Sequence, residues 1–209
     1  MTGEIIYIAI AIICAYLIGS FPSAYIVTRL RKGIDIRKVG SRNMGAMNVF
    51  YQVGFWYGIL VLAIDIGKGA AAVALARWLG VPVMVEFFAG LAVVLGHGFS
   101  VFLKFRGGRG GATLIGVFVF LMPWGIPFYL AVFGLLMLLT RYPTLSYSVA
   151  FVCFPLIAWL KYGSAELVAF SIGMLLLPGI KYIPRVKEMR ATGGSWRHVV
   201  LRRNLKDRL

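Results

Sequence analysis

ATLIGVFVFLMPWGIPFYLAVFGLLMLLT, residues Ala112–Thr140, is the stretch on which the fold turns. It reads either as one apolar helix or as two, split at Pro123 and Pro127, and the choice decides on which side of a membrane the chain ends. Read as one helix, it leaves six spans and puts the basic C-terminal tail on the same outer side as the N-terminus. That conflicts with the retention of Lys and Arg on the cytoplasmic side. Read as two, it makes seven spans and returns the tail and Arg141 to the inside, with Glu4, Glu86 and Glu166 near the outer face. The first piece, about Ala112–Leu121, is shorter than the ~20 residues of a full crossing, so it is expected to pack among other helices. The expected fold is an all-α polytopic integral membrane protein of about seven transmembrane helices. Six is the alternative count; the N-terminus lies outside and the C-terminus is cytoplasmic.

Outward from that stretch the same reading holds. Of the 209 residues, 60% are hydrophobic and only 14% charged, too little charge to cover a soluble domain. One long span is expected over Met1–Leu30, kinked or loosened around Gly19–Pro22. Others follow at about Gly54–Leu79, Pro82–Leu103, Leu145–Leu160 and Ala165–Ile180. The first run begins with Glu4 and has its basic residues behind it, so it reads as a retained span and not as a cleaved signal peptide. No internal repeat and no soluble second domain are evident. Residues 1–209 read as a single membrane-embedded domain with a basic cytoplasmic tail over about 181–209.

The net charge of +15 could suggest nucleic acid, but its distribution excludes that reading. Eighteen of the 22 Lys and Arg residues lie in three clusters, Arg29–Arg42, Lys104–Arg109 and Lys181–Arg208. Each sits between apolar segments or after the last one, which is the positive-inside pattern, and attraction to anionic membrane lipids follows from it. Cys14 and Cys153 fall inside apolar runs and imply no disulfide, while His97 and His198 are too few for a histidine-rich metal site. No metal and no cofactor are expected, and no protein partner can be read from the sequence. The aromatics scatter along spans and span ends, as interfacial anchors do.

Two loops on the same expected side carry the chemistry. Lys104-Phe105-Arg106-Gly107-Gly108-Arg109-Gly110-Gly111 leads into a helix. Glycines let backbone N–H groups converge on an anion, a helix N-terminus adds partial positive charge, and Lys104, Arg106 and Arg109 add full charges. A charged turn that merely anchors topology is the other reading of this loop. It is not a Walker loop, because the Lys-Ser/Thr ending is absent. Arg37-Lys38-Val39-Gly40-Ser41-Arg42-Asn43-Met44-Gly45-Ala46-Met47-Asn48 supplies hydroxyl, amide and guanidinium donors within about a dozen residues. No Ser-His-Asp arrangement can be assembled. Asp65 and Lys68, three residues apart in the second span, share a helix face and read as an ion pair or as part of a site. His97, near the cytoplasmic end of the third, reads as a hydrogen-bonding packer or as a base.

Taken in order, these residues resemble a family, the bacterial acyl-phosphate-dependent glycerol-3-phosphate acyltransferases of the PlsY type. The resemblance covers roughly Tyr16–Ser148. It rests on Tyr16-Leu17-Ile18-Gly19-Ser20-Phe21-Pro22, on Asp35 through Asn48, and on Asp65-Ile66-Gly67-Lys68-Gly69. It continues through Gly96-His97 with Phe105 through Thr113, and more weakly through Arg141 with Thr144-Leu145-Ser146. The chain departs from the family pattern at Arg42 and Met47, where Gly and Thr are usual, and at Arg109 and Gly111, where Lys and Val are usual. The family's third motif carries a His and an Asn after the last span, and Lys181–Glu188 has neither.

The resemblance implies transfer of a fatty acyl group from acyl phosphate to the primary hydroxyl of glycerol 3-phosphate, giving lysophosphatidic acid and inorganic phosphate. This is the first step of phospholipid synthesis, at the cytoplasmic face of a bacterial cell membrane. It implies a single displacement without a covalent enzyme intermediate. Lys104, Arg106, Gly107, Gly108, Arg109 and Gly110 would bind phosphate. Arg37, Ser41 and Asn43 would orient or polarise at the reacting centre, with Gly45, Asn48, Asp65, Lys68 and His97 in support. A transporter of an anionic metabolite and a non-catalytic member of the same fold are the alternatives.

Overall fold

The computed structural model describes residues 2–193. Among them every regular element is helical: α1 Thr2–Ser20, α2 Ser23–Lys32, α3 Ala46–Gln52, α4 Phe55–Trp78, α5 Val83–Gly98, α6 Gly111–Leu121, α7 Gly125–Thr140, α8 Pro143–Ala150, α9 Cys153–Leu160 and α10 Ala165–Gly193. Single 3₁₀ turns at Ile36–Lys38 and Val101–Leu103 sit in the connections. Five stretches are long and apolar enough to cross a membrane: Gly3–Lys32, Phe55–Trp78, Val83–Leu103, Pro143–Leu160 and Ala165–Glu188. Gly111–Leu121 and Gly125–Thr140 are shorter apolar helices. The protein is a multi-pass membrane protein. Its outward α1 side chains Ile5, Ile6, Ile13 and Leu17 are exposed, as lipid-facing positions must be.

The stretch 112–140 is broken as the parity argument requires. Pro123 has no N–H to continue a helical ladder, and α6 stops at Leu121 while α7 begins at Gly125. The first expected span is likewise interrupted at Phe21–Pro22, between α1 and α2. The span expected at Leu145–Leu160 is present as Pro143–Leu160, built of two eight-residue helices separated at Phe151–Val152. One boundary needs correction. The last helix does not end at Ile180 but continues to Gly193, so the tail expected from 181 begins as helix. At 1.5 Å per residue its 29 residues measure roughly 43 Å, more than the ~30 Å hydrocarbon core. The tail beyond Gly193 lies outside the described residues.

The chain forms two compact units, Met1–Leu121 and Met122–Leu209. In the first, α5 packs on α1 and α4 packs on α6. Both crossings depend on glycine, because small residues let helix backbones approach closely in lipid. A Cβ on Gly96 would strike the Tyr16 carbonyl and come within 2.9 Å of the Ser20 nitrogen. A Cβ on Gly116 would strike the Ile66 carbonyl and come within 2.9 Å of the Ala70 nitrogen. A buried cluster of Ala24, Ile36, Met44, Val49 and Val61 anchors the connection between α2 and α4. In the second unit α7 packs on α8 and α9, and α9 on α10, around the rings of Tyr129, Phe151 and Phe154.

Candidate active site

The connection after α2 folds around two polar side chains. Asp35 accepts from the Arg37 backbone N–H at 3.0 Å and so caps the 3₁₀ turn Ile36–Lys38. It also takes the Arg37 guanidinium as a fork, Nε to Oδ1 at 3.0 Å and Nη2 to Oδ2 at 2.8 Å. That side-chain hydrogen bond, with burial opposing it, lowers the Asp35 carboxyl to about 2 and raises the Arg37 guanidinium above its usual value. The guanidinium stacks over Tyr25, and Nη1 lies at a long 3.5 Å from the Leu103 carbonyl, immediately before the glycine loop. Nη1 and Nη2 each keep a further N–H, because guanidinium nitrogens carry two.

Asn48 is the hub of the same connection. It is 3% exposed, and its Nδ2 donates among the carbonyls of Asn43 (3.0 Å), Val39 (3.1 Å) and Ile36 (3.2 Å). Its Oδ1 accepts from the Ser41 backbone N–H at 3.2 Å. Three carbonyls around one atom and an N–H on the other fix which way the amide points. Gly40 must be glycine twice over: φ is +56°, and a Cβ would enter the Asn48 and Gln52 side chains. Gly45 is the N-cap of α3, with the Asn43 amide nitrogen 2.7 Å from where its Cβ would stand. The Ser41 hydroxyl and Asn43 amide, both half-buried, make no side-chain hydrogen bond to the described residues.

The glycine loop docks against the end of α5. Lys104 and Phe105 both take left-handed backbone conformations, φ +54° and +60°, which reverse the chain. The Gly107 N–H then donates to the Gly98 carbonyl at 3.1 Å and the Gly108 N–H to the His97 carbonyl at 3.0 Å. These two amides therefore satisfy the last carbonyls of α5 and do not point at a common anion, as the sequence alone suggested. Gly110, at φ +88°, caps α6 by accepting from Leu114 N–H at 2.8 Å. The first-turn amides of α6 have no acceptor within the helix, Lys104 and Arg106 are exposed on the loop, and Arg109 is half-buried. Met44 brings the two loops together, its carbonyl 2.9 Å from a Cβ placed on Gly108.

Beneath the loops lies a buried ionic cluster. Lys68 Nζ bonds Asp65 Oδ1 at 2.8 Å, His97 Nδ1 at 2.8 Å and the Phe21 carbonyl at 3.3 Å. At the break between α1 and α2 the Phe21 carbonyl accepts from the Ser23 N–H at 3.1 Å as well as from this lysine. Ser23 donates to Asp65 Oδ1 at 2.8 Å. All the residues expected at the site, from both loops and from Asp65, Lys68 and His97, thus belong to the first compact unit. Sequence reading gave no site role to Asp35, Ser23 or Phe21, although Asp35 and Phe21 lie in the stretches that carry the family resemblance. Only Asp35 had a signal, a capping residue two positions before an arginine. Lys181–Glu188 lies within α10, and residues 194–209, which contain His198 and Asn204, lie outside the described residues.

Residues 9–192 match the family described as Glycerol-3-phosphate acyltransferase. Glycerol-3-phosphate acyltransferase 2 of Dehalococcoides mccartyi is 53% identical over 209 residues, covering 99% of this chain and 100% of the relative. A glycerol-3-phosphate acyltransferase of Endomicrobium trichonymphae is 39% identical over 178 residues, 85% of this chain and 89% of the relative. The crystal structure of PlsY (YgiH), an integral membrane glycerol 3-phosphate acyltransferase in its glycerol 3-phosphate form, superposes with a TM-score of 0.82 at 30% identity. That superposition covers 97% of this chain and 95% of the other. The form with lysophosphatidic acid superposes with a TM-score of 0.77 at 31% identity, covering 90% of this chain and 92% of the other.

Proposed function

The chain belongs to the glycerol-3-phosphate acyltransferase family, and from that premise we propose that it acylates the primary hydroxyl of glycerol 3-phosphate with acyl phosphate as donor. The hydroxyl oxygen attacks the acyl carbonyl carbon. The bond from that carbon to the phosphate oxygen breaks, and inorganic phosphate leaves with the electron pair. A phosphate oxygen takes the hydroxyl proton, and lysophosphatidic acid is the other product. Because phosphate is a good leaving group, the protein has chiefly to place two anions together and offset the charge developing on the carbonyl oxygen.

The observation that carries this reading is the convergence of two basic, donor-rich loops: Arg37 reaches the Leu103 carbonyl, and Met44 meets Gly108. Lys104, Arg106 and Arg109, with the first amides of α6, bind phosphate. Gly107 and Gly108 serve by letting the loop lie flat on α5, and Gly110 by its left-handed turn. Arg37 keeps N–H groups for the reacting centre, while Ser41 and Asn43 hold free polar side chains beside it. Asn48 and Gly45 shape the loop that presents them. His198 and Asn204, which follow Gly193 in the sequence, are the candidates for the His and Asn of the third family motif. The acyl chain enters laterally between apolar helices.

In the membrane the chain makes seven crossings as one domain, N-terminus outside, with the site at the cytoplasmic face of a bacterial plasma membrane. The charge distribution supports this orientation. The test is release of inorganic phosphate from palmitoyl phosphate by purified protein, with and without glycerol 3-phosphate. Release that requires glycerol 3-phosphate and yields lysophosphatidic acid is the expected result. Folded protein that releases no more than its Ser41→Ala variant refutes it.

A further inference from the structure

Asp65, Lys68 and His97 are 1%, 7% and 6% exposed, and nothing in the acyl transfer step above uses them. An ammonium has only hydrogens to offer, so a nitrogen 2.8 Å from Lys68 Nζ must present a lone pair. His97 Nδ1 is that nitrogen, which makes His97 neutral with its proton on Nε2. An imidazolium would turn an N–H, and a second positive charge, toward the ammonium. The reverse arrangement, a neutral lysine accepting from Nδ1–H, would leave the buried Asp65 carboxylate with no counter-charge if the ring is neutral, or with one at 3.8 Å on an imidazolium in place of the ammonium at 2.8 Å. The other edge of the ring lies on the glycine loop: a Cβ on Gly108 would fall on Nε2 and come within 3.0 Å of Cε1. The Gly108 N–H is meanwhile bonded to the carbonyl of the same histidine.

A second observation argues against a purely architectural role. Asp65 Oδ2 is buried and makes no hydrogen bond to the described residues. Close apolar packing would avoid that penalty, which is of the kind that persists at functional sites.

We propose that Asp65 and Lys68 are positioning residues that hold His97 as its neutral Nε2–H tautomer, and through His97 hold Gly107–Gly108 in register for the phosphate-bearing acceptor. The second half rests on the phosphate-loop reading above; the first half stands without it.

The experiment is a two-bond ¹H–¹⁵N correlation spectrum of ¹⁵N-histidine-labelled protein in lipid nanodiscs, paired with steady-state kinetics. Signals of His97 are those lost in His97→Gln. The expected spectrum shows His97 as the Nε2–H tautomer in wild type and as a tautomer mixture in Lys68→Met. The expected kinetics are a rise of about tenfold in KM for glycerol 3-phosphate in Lys68→Met, with kcat within about threefold. Asp65→Asn, which keeps an acceptor for Ser23 and Lys68, serves if Lys68→Met does not fold, and moves KM in the same direction. His97→Gln places an amide N–H near the Nε2 position and keeps KM within about threefold of wild type, whereas His97→Asn, whose amide reaches only the Nδ1 position, raises it like Lys68→Met.

An Nδ1–H tautomer or an imidazolium in wild type overturns the lock. An unchanged KM in folded Lys68→Met overturns the coupling to the loop, as does an equal loss in His97→Gln and His97→Asn. Wild-type protein with no turnover dependent on glycerol 3-phosphate refutes the acyl transfer reading and the loop's role with it, while the tautomer spectrum still decides the lock.

Discussion

Replacing Asn48 tests the first loop most directly, because one buried side chain holds it at four points. Two amide N–H groups are shared among the Ile36, Val39 and Asn43 carbonyls, and the amide oxygen accepts from Ser41. Asn48→Ala removes roughly three net hydrogen bonds, on the order of 3 kcal/mol at about 1 kcal/mol each. If all of it falls on the loop, the competent loop population drops by roughly two decades. Asn48→Asp is nearly isosteric but sets an oxygen where Nδ2 stood, 3.0–3.2 Å from three carbonyl oxygens, and adds a buried charge. It is therefore worse than alanine, which is the opposite of what side-chain volume alone predicts. The assay is kcat/KM for phosphate release, alongside trypsin cleavage at Lys38 and Arg42, which loosening of the loop accelerates. Asn48→Ala within about threefold of wild type, or Asn48→Asp no worse than Asn48→Ala, would refute the hydrogen-bonded hub.

Three further perturbations bear on the fold and its ionic contacts. Gly116→Val sets a side chain against the Ile66 carbonyl and destabilises the α4–α6 crossing by roughly 3 kcal/mol or more, whereas Gly134→Ala, with nothing within 4 Å, is neutral or slightly stabilising; thermal unfolding in detergent separates them. Arg77→Met leaves the Glu86 carboxylate, 4% exposed, without its bidentate partner. The loss is on the order of 1–3 kcal/mol, discounted because Arg77 itself is 54% exposed, and adding Glu86→Gln recovers part of it in the same melt. Asp35 is held at about 2 in the fold against 3.8, so its pairing with Arg37 contributes fully above about pH 4 and fades as pH falls through that window. The stability advantage of wild type over Asp35→Asn must shrink on acidification from pH 4 toward 2; an advantage that grows would contradict the sign.

The sequence by itself determined the membrane class, most helix positions and the break near Pro123. Hydropathy, prolines and the placement of Lys and Arg are one-dimensional properties, and the bilayer acts on them directly. Span two, expected at about Gly54–Leu79, is α4 at Phe55–Trp78, and the kink before Ser23 lies where Pro22 requires it. Boundaries were less legible where several short apolar pieces follow one another. Nothing local distinguishes Leu145–Leu160 as one helix from the two helices that exist, and the basic stretch from Lys181 to Arg190 read as tail although it continues α10.

The roles of individual site residues were decided only by tertiary structure. Glycine spacing marked Gly107 and Gly108 as anion donors, but their N–H groups face α5, because a helix end buried in the fold must satisfy its last carbonyls with whatever donors lie nearest. Asn48 appeared as one more polar residue in a donor-rich loop, and Asp65 with Lys68 as a pair on one helix face. What makes the first a hub and ties the second to His97, 29 positions away, is that buried polar groups find their partners through space. Hydrogen-bond geometry and burial set those partners, and neither has a period that can be read along the chain.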